Sequence, residues 1–263
     1  EFYIPTIGER IEELIRSNTR LIFMESPGSH SFEMQDVPAI VRVAQKHNVW
    51  TMIDNTWATP MYFQPLKAGV DVVIHAATKY IGGHSDLLMS TATCNAKAWP
   101  LVKAVSITMG QLAPADTIYL AHRGIRTMKV RMEAQFKSAQ KIVDWLEQQP
   151  EVEKILWPAH EKDPGYPIWK RDFTGAAALF VVKLKDNVPD AALDAFLDNL
   201  KLFGLGYSWG GYESLLIRSY GKRCKDDSTA FEKMLRLSIG LEDAEDLIRD
   251  LQRGFEALRK EMP

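Results

Sequence analysis

The chain has 263 residues, of which 46% are hydrophobic and 25% charged, and its formal net charge is -2. This composition is typical of a folded globular protein and excludes a disordered or collagen-like chain. Because 32 Lys and Arg residues are balanced by 34 Asp and Glu residues, it also argues against nucleic-acid binding driven by bulk positive charge. The length is enough for one large domain or two ordinary ones.

The cysteines and the apolar runs point to the compartment. Cys94 and Cys224 are too few for a disulfide framework and form no C-x-x-C pair. They predict a reduced, cytoplasmic protein with two ordinary thiols. The longest apolar run, 176–182, is too short to span a bilayer, so no membrane association is expected. The chain starts at Glu1 without an initiator Met or an apolar leader, which indicates a processed chain or part of a longer one.

The first half alternates apolar runs with amphipathic stretches. A helix is predicted to begin after Asp36, a residue type that caps helix N termini, with Pro38 in the first turn. Four apolar runs predict strands, at 21–24, 49–53, 70–74 and 87–93. Strands that are apolar throughout and separated by helices are typical of a parallel or mixed sheet covered on both faces. The pattern therefore predicts an α/β arrangement.

The second half has a different pattern. Apolar residues at spacings of three and four predict a long helix over 125–146, and we place a domain boundary at its start, between 1–124 and 125–263. Further strands and helices are predicted at 179–184, 191–200, 215–218, 235–239 and 244–258. The second half is thus expected to form a smaller α+β domain.

Several common site signatures are absent from the sequence. It has no G-x-x-x-x-G-K-[ST], G-x-G-x-x-G or H-E-x-x-H motif, and no metal site is expected. The pattern G-x-S-x-G at 206–210 would make Ser208 the nucleophile of an α/β-hydrolase. That fold needs a histidine after the nucleophile, whereas the last histidine, His160, precedes it. The hydrolase interpretation is therefore rejected.

Asp54 and Lys79 form the informative pair. Asp54 follows the predicted strand 49–53, and Lys79 comes shortly after the predicted strand 70–74. Ligands of open α/β sheets bind beyond the carboxyl ends of the strands, so both side chains could reach one crevice. A carboxylate and a lysine there suit pyridoxal phosphate (PLP). The alternative, on spacing alone, is that Asp54 caps a turn and Lys79 is a solvated surface lysine.

Two segments carry a family resemblance. I-D-N-T-W at 53–57 and A-T-K-Y-I-G-G-H-S-D at 77–86 resemble the PLP-attachment region of the trans-sulfuration (Cys/Met metabolism) enzymes. The resemblance continues through W-K-R-D-F-T-G at 169–175 and L-R-L-S-I-G-L-E-D at 235–243. It implies the PLP-dependent transferase-like fold of aspartate aminotransferase (fold type I). The large domain would be incomplete at its N-terminal side and followed by a smaller α+β C-terminal domain.

The resemblance implies roles for the residues around the cofactor. Lys79 would be the Schiff-base lysine and the proton-transfer group, and Asp54 would pair with the pyridinium nitrogen. Thr78 would donate its hydroxyl to the cofactor phosphate. Ala76 stands where the family often has a serine, so one phosphate contact must come from elsewhere or be missing.

The resemblance also implies a substrate site. Arg236 would bind the substrate α-carboxylate through its planar fork. Ser208 and Trp209 would border that carboxylate, with the Ser208 hydroxyl near the Lys79 amine. Y-S-W-G-G-Y-E-S at 207–214 and E-S-P-G-S at 25–29 resemble the cystathionine β-lyase branch of the family more than its γ-enzymes.

The activity implied by the resemblance is PLP-dependent β-elimination at the C–S bond of L-cystathionine, giving homocysteine, pyruvate and ammonia for methionine biosynthesis. The alternatives are a γ-enzyme (a cystathionine γ-lyase or γ-synthase, or a methionine γ-lyase) and a catalytically incomplete fragment. A cytoplasmic homotetramer with active sites at dimer interfaces is also implied. The family's Gly-rich phosphate turn, ring-stacking aromatic residue and Tyr/Arg pair from the neighbouring subunit are not found in this sequence. About one third of the expected protein is therefore predicted to be absent.

Overall fold

The computed structural model describes residues 1–219 and 232–263. Cys224 lies outside these ranges, and Cys94 is a partly exposed free thiol. The described residues contain two four-stranded sheets with helices packed around them. None of the helices within these ranges is both long enough and apolar enough to cross a membrane.

The first sheet is mixed, as predicted. A 3₁₀ segment, Pro5–Leu14, precedes it. The first three strands are parallel and the fourth is antiparallel to its neighbour. In spatial and chain order they are β1 (Leu21–Glu25), β2 (Trp50–Asp54), β3 (Val72–Ala76) and β4 (Ser90–Cys94). The last two strands begin two and three residues later than the apolar runs predict.

Four helices accompany this sheet: α1 (Val37–Lys46), α2 (Thr59–Tyr62), α3 (Trp99–Thr108) and α4 (Ala115–Ile125). The start of α1 is as predicted, because the Asp36 carboxylate accepts the Ala39 N–H at 3.0 Å and Pro38 lies in the first turn. The apolar face of α1 is buried around Ile40, whereas α3 buries none of its residues. The sequence did not predict α3, because its apolar side chains do not gather on one face.

The predicted long helix, 125–146, is confirmed apart from its first residues. Helix α4 ends at Ile125, and α5 (Met128–Leu146) begins three residues later. Thr127 has non-helical dihedrals at the break, and its hydroxyl donates to the Gly124 carbonyl at 3.2 Å. The Gly124 carbonyl also accepts the Thr127 N–H at 3.1 Å, so it keeps a backbone partner at the break. The domain boundary placed between 124 and 125 stays a prediction.

The second sheet is antiparallel, with the spatial order β5-β6-β8-β7. The bounds of β6 and β7 match the predicted ones. The sequence did not predict β5, because its charged and exposed residues hide the apolar alternation. The elements of this half are β5 (Val152–Leu156), α6 (Tyr166–Asp172), β6 (Leu179–Leu184), α7 (Asp190–Asp198), β7 (Leu215–Arg218), β8 (Met234–Ser238) and α8 (Ala244–Lys260).

The two halves share one continuous apolar core. The Trp57 indole, after β2, donates to the Leu179 carbonyl of β6 at 3.1 Å. The Phe63 and Phe173 rings stack with their centroids 4.4 Å apart. These contacts fix the carboxyl edge of the first sheet against the second sheet.

A buried carboxyl group lies in the turn between β5 and α6. Asp163 is 5% exposed, and its carboxylate accepts the Gly165 N–H at 2.6 Å. Burial raises the pKa of Asp163 from its usual 3.8 to about 6. Between these two values the folded protein binds more protons than the unfolded chain. The free energy of unfolding therefore falls as the pH rises through this window, and the loss persists above it.

We expect Asp163→Asn to remove this loss, because the amide oxygen can still accept the Gly165 N–H but carries no charge. The free energy of unfolding of the variant minus that of the parent should increase by about 2–3 kcal/mol from about pH 4 to about pH 7. Urea unfolding of both proteins at the two pH values measures it. Other titrating groups are common to both proteins and cancel. A difference that does not vary with pH would contradict the assignment.

Candidate active site

The predicted site residues come from the carboxyl edge of the first sheet and from one loop of the second half. Asp54 is the last residue of β2, and Thr78 and Lys79 follow the end of β3. Since β2 and β3 are parallel and adjacent, these ends share one edge of the sheet. The segment 207–214, which we call the serine loop, reaches this edge and carries Ser208.

The Lys79 amine is held between two side chains of the serine loop. Its Nζ donates to Ser208 Oγ at 2.7 Å and lies 5.2 Å from the centre of the Trp209 ring. In the described part of the chain no carboxylate lies within ion-pair distance of it. Burial, and secondly the charge of Arg236, lower the pKa of Lys79. Lys79 is therefore readier than an ordinary lysine to act as a nucleophile or a base.

The serine loop is tied to the second sheet and packed directly on Lys79. The Gly210 N–H donates to Ser238 Oγ at 3.2 Å, at the end of β8. Gly210 has φ 77°, and a Cβ there would lie 3.2 Å from the Lys79 Cβ. Glycine is thus required both by the backbone conformation and by the close approach of the two segments.

Arg236 lies in the middle of β8 and is 3% exposed. Its Nη2 donates to the Tyr207 carbonyl at 2.6 Å and its Nη1 to the Ser29 carbonyl at 3.3 Å. Among the described residues no carboxylate forms an ion pair with it. Burial lowers the pKa of Arg236, yet a guanidinium stays protonated in proteins. A buried cation without a counter-ion favours binding of an anionic group at this position.

Asp54 lies among two other titratable side chains. Its Oδ1 accepts the Thr56 N–H at 2.8 Å. Burial lowers the pKa of His75, on the neighbouring strand β3, to about 4, and its Nε2 is buried without a hydrogen-bond partner. Burial, together with the Asp54 charge, raises the pKa of Glu25 at the end of β1. At neutral pH His75 is thus uncharged and does not form an ion pair with Asp54.

Thr78 is engaged with the backbone. Its hydroxyl donates to the Met89 carbonyl at 3.2 Å and accepts the Met89 N–H at 3.1 Å. Donation to a phosphate would require release of that carbonyl. The phosphate role of Thr78 stays a prediction, and Ala76 offers no hydroxyl beside it.

The donors at this edge fit PLP with an amino-acid substrate. Lys79 offers a half-buried amine without a charged partner among the described residues, suited to the aldehyde carbon. Asp54 offers a carboxylate at a strand end, suited to a protonated pyridine nitrogen. Arg236 offers a guanidinium for a carboxylate.

Three further polar side chains near the site were not predicted. Arg131 and Gln135 of α5 donate to the backbone of the segments that carry Lys79 and Ser208. Their spacing of four on the buried face of α5 was the available signal. The third is His30, whose Nε2 lies 3.4 Å from the Tyr207 hydroxyl. No sequence pattern indicated this residue.

Known proteins match nearly the whole chain. The profile of the family described as Cys/Met metabolism PLP-dependent enzyme matches residues 1–256. A protein of Rhizobium johnstonii is 47% identical over 261 residues, 98% of this chain and 66% of that protein. The cystathionine beta-lyase MetC of Escherichia coli is 42% identical over 261 residues, 97% of this chain and 66% of that protein.

A solved structure has the same fold. The cystathionine gamma-lyase from Lactobacillus plantarum, complexed with L-serine, superposes with a TM-score of 0.85 at 30% identity, covering 95% of this chain and 67% of that one. This confirms the predicted fold type I. The chain spans 66% of the length of the two curated relatives. The match over residues 1–256 and these identities show that the chain belongs to the family of Cys/Met metabolism PLP-dependent enzymes.

Proposed function

We propose that the protein is a carbon–sulfur lyase that catalyses β-elimination on L-cystathionine and releases homocysteine, pyruvate and ammonia. The observation that carries the proposal is the Lys79 amine, 2.7 Å from Ser208 Oγ and beneath the Trp209 ring, in a site with the buried cation Arg236. The E. coli relative named as a cystathionine beta-lyase supports the choice of substrate.

Binding begins with the substrate carboxylate. The Arg236 guanidinium is proposed to take it in a bidentate pair. The guanidinium donates to two protein carbonyls, of Tyr207 and Ser29, and these bonds fix its plane before substrate arrives. A fixed plane lowers the entropy lost on binding and orients the α-carbon towards the lysine.

Lys79 is then proposed to move one proton twice. Its lowered pKa favours the free amine, which removes the α-proton of the substrate. PLP would supply an electron sink for the α-carbon, and the Asp54 carboxylate would hold the proton on its pyridine nitrogen. As the C–S bond breaks, the α-carbon electron pair forms the Cα–Cβ double bond, the sulfur leaves with the C–S electrons and takes the proton from the Lys79 ammonium, and water hydrolyses the unsaturated amine to pyruvate and ammonia.

Trp209 is proposed to restrict the positions that the Lys79 amine can occupy. Its ring lies 5.2 Å from Lys79 Nζ and 5.7 Å, between centroids, from the Tyr80 ring. A γ-elimination needs a second proton removal at the β-carbon, and a fixed amine disfavours it. We expect Trp209→Ala to lower β-elimination by about 10-fold to 100-fold and to permit some 2-oxobutyrate formation, measured by chromatography of the keto acids. Unchanged turnover with pyruvate alone would remove this role.

Product analysis tests the proposed activity. The full chain, loaded with PLP and given L-cystathionine, should release pyruvate and homocysteine in equal amounts. Formation of 2-oxobutyrate and cysteine instead would identify a γ-lyase. Absence of any C–S cleavage in a PLP-loaded protein would sink the proposal altogether.

The proposed working form is a cytoplasmic homotetramer with active sites at dimer interfaces. The exposed apolar side chains of α3 and α4 support association of this surface with further protein. They include Trp99, Leu101, Val105, Ile107, Ile118 and Tyr119. Light scattering of the full chain after size-exclusion chromatography should give four subunits, whereas a stable monomer would exclude this assembly.

A further inference from the structure

Helix α5 contacts both backbone segments that carry the Lys79–Ser208 pair. It does so through Arg131, 5% exposed, and Gln135, 0% exposed, which lie one helical turn apart on its buried face. A buried guanidinium and a buried amide are costly in a core unless they hydrogen bond. Their hydrogen-bond partners therefore explain why two polar side chains are buried here.

The Arg131 guanidinium binds the backbone next to the lysine. Its Nη2 donates to the Tyr80 carbonyl at 2.8 Å and to the Gly124 carbonyl at 2.9 Å. Tyr80 directly follows Lys79, so the bond to its carbonyl holds the Tyr80–Ile81 peptide, one residue after the lysine. Gly83 has φ 71°, and a Cβ there would collide with the guanidinium. The absence of a side chain at Gly83 therefore leaves the space that the Arg131 guanidinium occupies.

Gln135 binds the other segment. Its Nε2 donates to the Gly211 carbonyl at 2.8 Å, three residues after Ser208 in the serine loop. The Oε1 of Gln135 is buried without a partner, so this one donated bond is the polar contact that the side chain makes among the described residues. Gly210, between them, packs on Lys79. Both segments are thus held from one face of α5 at the place where they touch.

We propose that Arg131 and Gln135 are positioning residues, which hold the Tyr80 and Gly211 peptides so that Lys79 Nζ and Ser208 Oγ stay within hydrogen-bond distance. The catalytic meaning of the proposal rests on the proposed function, but its geometry concerns the free lysine alone. Burial and the Arg236 charge lower the pKa of Lys79. A lysine released from this crevice loses both effects and titrates at higher pH.

The titration of Lys79 tests the proposal without substrate. In the full chain freed of cofactor, the labelling rate of Lys79 by acetic anhydride is followed against pH by peptide mass spectrometry. Gln135→Met keeps the side-chain length, removes the donor and also removes the unpartnered Oε1, so the fold is expected to tolerate it. We expect its titration midpoint to rise by about 0.5–1 pH unit. Arg131→Lys should give a smaller rise than Arg131→Met, because it keeps the charge and a donor.

One comparison separates positioning from loss of stability. Ile142→Val, also buried on α5 but two turns away, should lower the melting temperature without moving the midpoint. A midpoint unchanged in Gln135→Met, or a shift in Gln135→Met equal to that of Ile142→Val, would overturn the proposal. Since no substrate is used, these outcomes are independent of whether cystathionine is cleaved.

Discussion

Replacing Lys79 with alanine is expected to lower the rate of C–S cleavage by about 10⁴-fold or more. The side chain is proposed both to attach the cofactor and to move the α-proton, and no other lysine shares its place in the described structure, 2.7 Å from Ser208 Oγ. The rate is measured from released thiol, and the visible absorbance of the cofactor should change in the same variant. Substrate affinity should change far less, because Arg236 is intact.

Lys97 provides a matched control. Its Nζ also lies over a tryptophan, 4.3 Å from the Trp50 ring centre, but at the surface of the first sheet. Lys97→Ala should therefore keep nearly full activity. If Lys79→Ala kept more than about 1% of the parent rate, another group would have to be the base, and the proposed mechanism would be wrong.

The sequence predicted the elements whose apolar pattern is simple. The run 179–184 is buried nearly throughout, and β6 has these bounds. The start of α5 was predicted three residues too early, because Ile125 has the apolar spacing of α5 but ends α4, and the Thr127 hydroxyl bonds to the Gly124 carbonyl between the two helices. Strand β5 was missed because its two exposed charged residues, Glu153 and Lys154, are adjacent and break the alternation, and Glu153 pairs with Lys183 of β6 at 2.7 Å. Apolar periodicity indicates which residues are buried. It does not predict an element whose position or end depends on a polar contact.

The same reason explains what could be predicted of the site. Family resemblance predicted the Ser208 hydroxyl near the Lys79 amine, and in the structure the two atoms lie 2.7 Å apart. The resemblance did not reveal that the Thr78 hydroxyl is bound to Met89. Such a bond depends on the relative position of two segments eleven residues apart, which no local pattern encodes. The sequence did not predict a role for Arg131, because a polar residue beside apolar ones on a helix is usually solvent-exposed at the edge of the apolar face.

Arg236 tests whether shape or charge binds the substrate. Arg236→Lys keeps the positive charge but loses the planar fork, so we expect the KM for cystathionine to rise by about 30-fold to 1000-fold, corresponding to about 2–4 kcal/mol. In Arg236→Leu the rise in KM should be at least as large. Both variants also lose the bonds to the Tyr207 and Ser29 carbonyls, so their melting temperatures are measured beside the kinetics.

The pH profile of Lys79 distinguishes the two variants. The Arg236 charge contributes to the lowered pKa of Lys79. Removing the charge in Arg236→Leu should therefore raise the pKa of the lysine and move the Lys79 titration to higher pH, whereas Arg236→Lys should leave it close to that of the parent. Acetic anhydride labelling of the cofactor-free proteins measures both. Equal titrations in all three proteins would show that the guanidinium charge does not reach the amine, and Arg236 would then act on the substrate alone.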